Sequence, residues 1–172
     1  MEVIGLAASI VAIGQAAEIA LNMSRSMRRL ARRVRAAQDD IRRFAKDIEI
    51  FSSVIGAAHF SLYCNCDTEK TLSPVLRYIE QSKVLDRLVE QSDGVIDHIG
   101  ELKPRIRSLE SRIPLKTKFK WLFRRAEVEA LGPKMESVKV SLNLIITIVT
   151  LEVVAQKDSS KEAPSKEFRR EM

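Results

Sequence analysis

From Met23 to Leu62 the apolar residues follow one another at spacings of four and three without a fault: Met23, Met27, Leu30, Val34, Ala37, Ile41, Phe44, Ile48, Phe51, Ile55, Ala58 and Leu62. An α-helix, at 3.6 residues per turn, brings such a series onto one face, whereas a strand needs strict alternation. A seam of this length must pack lengthwise on other helices, so the spacing predicts a helical bundle. Compactness favours a hairpin over one very long helix. Ala36-Ala37-Gln38-Asp39-Asp40 offers a turn and an aspartate cap, which places the reversal near residues 35 to 39.

The same spacing recurs downstream. Ser73 and Pro74 supply a cap and a first-turn proline, and Tyr78, Leu85, Leu88, Val95, Ile99, Leu102, Ile106, Leu109 and Ile113 keep one register. Gly100 and Pro104 mark a kink in that third helix. Residues 126 to 156 form the last helix, which Gly132-Pro133 should bend or restart. Ser61 to Thr71 lacks the period and reads as a loop. The predicted fold is therefore all-α, an antiparallel bundle of four to five long helices near 3–34, 39–62, 74–112 and 126–156. Residues 1–156 make the bundle; 157–172, with alternating charges, read as a disordered tail.

The first segment, VIGLAASIVAIGQAAEIALNMSRSMRRLARRVR, runs from an apolar stretch straight into arginines. A secretory signal places its charges before the apolar core, so this order argues against one. Val3 to Ala17 measures about 22 Å as a helix and falls short of the ~30 Å hydrocarbon layer; extension to Ser24 reaches about 33 Å but takes in Glu18. Around the helix, Val3, Leu6, Ile10, Ile13 and Leu21 form a bulky stripe. Gly5, Ser9, Ala12, Ala16 and Ala20 form a small-residue ridge that permits close helix contact, in a bundle or in a bilayer. Ile4, Val11, Gln15, Glu18 and Asn22 make a mixed face.

The net charge of +6 is concentrated here. Residues 24–46 carry nine basic side chains (Arg25, Arg28, Arg29, Arg32, Arg33, Arg35, Arg42, Arg43 and Lys46) against Asp39 and Asp40. That is a local +7, so the rest of the chain sums to −1. Such a patch attracts anionic headgroups, nucleic acid or an acidic partner. It lacks the asparagine or glutamine neighbours of a base-reading helix, so a specific nucleic-acid role is not expected.

Catalytic and metal motifs are lacking. There is no phosphate loop, no dinucleotide fingerprint and no HExxH, which predicts no catalytic residues, no cofactor and no small-molecule substrate. His59, Cys64, Cys66 and Asp67 draw a zinc set on paper, but the one-residue cysteine spacing suits a plain loop with free thiols, and no metal site is predicted. With only those two cysteines, an intracellular, reducing setting is expected. His98, between Ile96 and Ile99, reads as a partly buried structural residue. In the connector KTKFKWLFRR, Lys118, Lys120, Trp121, Arg124 and Arg125 form a possible second interface. The alternative is an amphipathic turn that plugs Trp121 into the bundle and leaves its charges in water.

At this connector the chain resembles a known group. Lys120-Trp121-Leu122, Glu127-Val128, Leu131, Lys139 and Ser141-Leu142-Asn143-Leu144, with Ala7-Ala8-Ser9-Ile10 and Gln15-Ala16-Ala17 at the start, look like the HeLo-like N-terminal domain of fungal STAND proteins. These domains precede NACHT or NB-ARC nucleotidases and also occur as stand-alone proteins, the form the resemblance implies here. It implies a helical signalling domain of cell-death type, soluble and cytoplasmic at rest and recruited to the inner face of a membrane on activation. Val3, Ile4, Leu6, Ile10, Val11, Ile13 and Leu21 would then insert, while Arg25, Arg28, Arg29, Arg32, Arg33 and Arg35 meet anionic lipid headgroups. The alternative is an adaptor bundle that takes as its helical protein partner the N-terminal domain of a larger STAND receptor, or pairs with itself as a homo-oligomer, and never touches lipid.

Overall fold

The computed structural model describes residues 2–66, 74–109, 121 and 124–161. Every regular element among them is helical. Helix α1 spans Glu2–Ala31, a 3₁₀ turn Arg35–Ala37, α2 Gln38–Cys66, α3 Pro74–Gln81, α4 Val84–Arg107 and α5 Leu131–Lys161. A short helical segment, 124–129, leads into α5 through a turn at Ala130, whose N–H bonds the Ala126 carbonyl at 3.0 Å.

The predicted seam is the core. Of its twelve residues all but Met23 are buried, and Met23 packs partly buried against the rest. The first reversal lies where Ala36-Ala37-Gln38-Asp39-Asp40 places it, yet neither glycine nor proline makes it. Helix α1 ends at Ala31 rather than near residue 34 because Val34 leaves the helical conformation and fills the corner of the core. Asp39 and Asp40 then sit in the first turn of α2, where carboxylates oppose the positive end of the helix dipole.

Consecutive long helices run antiparallel, as predicted. Ser24 of α1 reaches Ala45 of α2, and Ser52 of α2 reaches back to Ala17. Around the bundle the order is α1, α2, α5, α4, with α1 packed along α2 and α4, and α5 along the same two. Two neighbouring pairs are therefore parallel. Ser9 meets Asp86 and Met23 approaches Gly100, so α1 and α4 ascend together; α2 and α5 likewise start together, around Phe44 and Met135. Helix α3 closes one end, its Val75 N–H capped by the Glu152 carboxylate of α5 at 3.2 Å.

Four boundaries differ from the expectation. The stretch Ser61–Cys66 is not loop but the last turn and a half of α2, because Leu62 still belongs to the buried seam. The third helix breaks at Ser82-Lys83, where Lys83 takes a left-handed φ of 52°. Pro104 instead lies inside α4 without ending it, and that helix stops at Arg107 rather than near residue 112. Helix α5 continues past residue 156 to Lys161, five residues into the predicted tail, while residues 162–172 lie outside the described ones. The Gly132-Pro133 restart is present: both fall in the first turn of α5, where a proline costs no helical hydrogen bond.

Candidate functional site

Helix α1 faces inward along most of its length. Leu6, Ile10 and Ile13 are 2%, 2% and 1% exposed, and Ser9, Ala16 and Ala20 of the small-residue ridge are buried with them. Leu21 and Ala12 are half-buried, while Val11 and Gly5 face solvent and so stand outside the packed stripe and ridge. Val3 and Ile4 lie in the first turn of the helix. The tight contact on this helix lies outside the predicted ridge: a Cβ on Gly14 would stand 2.7 Å from the ring of His59 on α2. Three serine hydroxyls fasten the helix. Ser24 donates to the Ala45 carbonyl at 2.7 Å, Ser52 donates to the Ala17 carbonyl at 2.7 Å, and Ser9 donates to Asp86 Oδ1 at 2.5 Å. Each hydroxyl is satisfied inside the bundle, so separating α1 forfeits about 0.5–1.5 kcal/mol per bond besides its apolar contacts.

The arginines occupy the opposite end of the same helix and its turn. Arg25, Arg28, Arg29, Arg32, Arg33 and Arg35 are all exposed, as their position opposite the seam requires. Arg28 forms an ion pair with Glu49 across the α1–α2 interface. The fold also brings in two cations from the next helix. Arg28 and Arg32 from one side, and Arg42, Lys46 and Glu49 from the other, line a groove of about 520 Å³. Arg42 and Lys46 belong to the basic stretch of the sequence but not to its predicted headgroup set. Their spacing of ten or more residues from Arg28 and Arg32 carries no local signal; only the hairpin register joins them.

The connector splits. Trp121 is buried, and its Nε1 donates to Asp40 Oδ2 at 2.8 Å, tying the start of α2 to the entry of α5. Its ring is thus part of the bundle, unavailable for base stacking or a lipid interface. Arg124 and Arg125 pair with Glu127 and Glu129 at 2.7 Å each. Glu127 also meets Arg105 of α4 at 3.1 Å. The Arg124 hydrogen bond foremost, with Arg105 behind it, holds the Glu127 carboxyl below its ordinary range. Lys118 and Lys120 lie outside the described residues.

One surface was not anticipated. On α5, Val140, Leu144 and Leu151 are 64%, 60% and 63% exposed, and Ile148 and Val154 extend the same side. Residues 140–151 contain no charged side chain. Beside this stripe, Thr147 and Thr150 donate to the carbonyls of Asn143 and Ile146, so their hydroxyls are already bonded within the helix. The signal was present in the sequence: SLNLIITIVTL is apolar on more faces than one core contact uses.

Two helical stretches, Gly5–Ala31 and Arg124–Gln156, are long and apolar enough to cross a membrane by length and composition, and in this fold both are bundle helices. Of the apolar window, 33% is buried in the first and 22% in the second. His98 is exposed rather than partly buried, because it lies on the solvent side of α4 while Ile96 and Ile99 turn inward. His59 stacks on Tyr63 at 6.0 Å, and Cys64 is exposed. Among the described residues no three histidine, cysteine or acidic side chains come together as a metal site. No protein-family model, no curated protein and no solved structure matches this chain.

Proposed function

We propose that the protein is a HeLo-like helical signalling domain, soluble at rest and directed to an anionic membrane on activation by α1 and the basic segment that follows it. The role is one of binding, not catalysis. What supports this reading above all is the division of one helix. Its first two-thirds turn Leu6, Ile10 and Ile13 into the core, and its last third presents Arg25, Arg28 and Arg29 to solvent. Arginines near an anionic leaflet gain about 1 kcal/mol each, a pull that acts before any apolar side chain leaves the bundle. The rest of the cost is met only if the apolar face exchanges core for lipid.

Flotation with phosphatidylserine vesicles tests the proposal. Replacing Arg25, Arg28, Arg29, Arg32 and Arg33 with glutamine should leave the helical signal in circular dichroism nearly unchanged and abolish flotation. Equal flotation of both proteins removes the basic segment from the mechanism.

The exposed stripe on α5 favours a second reading, an adaptor that pairs with another helical protein or a second copy through that face. Light scattering separates the two. In the adaptor reading the wild type self-associates or needs a helical partner, Leu144→Lys/Leu151→Lys abolishes that association, and neither protein floats with vesicles.

A further inference from the structure

The groove between α1 and α2 has the makings of a ligand site. Four cations line it against one carboxylate, and that carboxylate, Glu49, is already engaged by Arg28. Arg42 contacts the neutral Gln38 amide oxygen, and its one carboxylate neighbour within 4 Å among the described residues is Asp39, at 3.8 Å and 92% exposed, a pairing worth little in water. Among the described residues Arg32 and Lys46 form no ion pair, and Glu49, the carboxylate that shares their groove, is taken by Arg28. A local excess of three positive charges in one concavity is self-repelling, and a multivalent anion relieves that repulsion.

We propose that this groove binds a compact group of clustered phosphates, carried either on a soluble polyphosphate or on a lipid headgroup with more than one phosphate. Guanidinium forks from Arg28, Arg32 and Arg42 suit phosphate oxygens in pairs, and Lys46 supplies a point charge. The volume of about 520 Å³ lies within the range of small-ligand sites and exceeds what one phosphate fills. Among the described residues no aromatic side chain lines the groove, so it offers no ring on which a nucleobase would stack.

The ligand would have a mechanical consequence because its contacts come from both sides of a helix interface. It clasps the end of α1 to α2, beside the Ser24 hydrogen bond to Ala45. A bound polyphosphate thus stabilises the closed bundle and opposes departure of α1. This regulatory part rests on the proposed function; the site itself does not.

Titration calorimetry with inorganic tripolyphosphate, together with thermal melting, tests the site without any membrane. The wild type should bind one equivalent saturably and melt higher with ligand. Arg32→Gln/Lys46→Gln should weaken binding on the order of tenfold or more. Arg87→Gln/Lys103→Gln removes the same charge from the exposed side of α4, outside the groove, and should keep affinity within about threefold, the residue of long-range attraction. Absence of saturable binding by the wild type, or equal weakening by both double variants, overturns the site. Since the substituted side chains are exposed, folding should survive; Lys46→Ala alone is the milder check and must weaken binding as well. Vesicles of phosphatidylcholine doped with phosphatidylinositol bisphosphate identify the source. Selective loss of their binding by the groove variant assigns the phosphates to a headgroup, and tripolyphosphate binding without vesicle binding assigns them to a soluble anion. A wild type that floats with phosphatidylserine yet ignores tripolyphosphate refutes this site and leaves the proposed function in place.

Discussion

Helices α1 and α5 are nearly equal in length, 30 and 31 residues, and each is apolar enough to cross a bilayer, yet the bundle treats them oppositely. Helix α1 turns its bulky residues inward, lies against α2 closely enough that Gly14 leaves no room for a Cβ, and is pinned by three serine hydroxyls. Helix α5 fills the core with Leu131, Met135, Val138, Leu142, Ile145 and Val149 and still carries a second apolar stripe outside. Apolar composition alone is therefore a poor guide to which helix meets a partner. A helix held on one face has apolar contacts to lose, whereas one apolar on two faces has contacts still to make.

The largest expected contrast comes from truncating one side chain on each helix. Ile13→Ala should cost about 2–5 kcal/mol in urea unfolding, because the cavity opens in the centre of the core. Leu144→Ala should change the stability of the monomer by no more than about 0.5 kcal/mol. A comparable loss at Leu144 would mean that the α5 stripe is already covered in solution.

Next in size are the glycines. Gly14→Ala presses a methyl group into the His59 ring and should cost about 1–3 kcal/mol, with much of the loss recovered when His59→Ala is added. Gly94, on the exposed side of α4, has open space around it, so Gly94→Ala should be neutral or stabilising by up to about 1 kcal/mol. Thermal melts of the three proteins decide whether close packing is confined to the α1–α2 contact.

The hydroxyls give a smaller difference. Ser24→Ala or Ser52→Ala leaves a buried carbonyl without its second bond and should cost about 1 kcal/mol each. Thr147→Ala and Thr150→Ala remove hydroxyls that bond only within α5, and should change melting by less than about half that. Equal effects in both pairs would show that the serines do not fasten α1.

The smallest effect is a pH dependence at the entry of α5. The folded-state carboxyl of Glu127 titrates below its unfolded value, so its contribution to stability is present above the ordinary carboxylate range and is lost as the pH falls through the depressed value. Because the pair is solvent-exposed, the change is modest. Melting temperatures of the wild type and Glu127→Gln should differ at neutral pH and converge in acid. A difference that persists unchanged into acid would exclude the Arg124 and Arg105 contacts as its cause.

Helix and bundle were legible because a seam repeated from Met23 to Leu62 admits one backbone period, and nearly every residue of it is buried. The restart at Gly132-Pro133 was legible for a local reason too, proline's missing N–H. The reversal at residues 35 to 39 was legible from its aspartates, but the break at Lys83 was not, since no glycine or proline marks it and only the packing of distant helices makes an irregular residue favourable there. The same holds for function. The sequence by itself determined that a run of arginines follows an apolar helix and lies opposite its core stripe. Tertiary structure alone decided that Arg28 and Arg32 share a groove with Arg42 and Lys46, that Trp121 is spent on Asp40, and that α5 keeps a greasy face in water. The physical reason is that a periodic pattern specifies the face of each helix, whereas which faces meet depends on how all of them bury the most apolar area together.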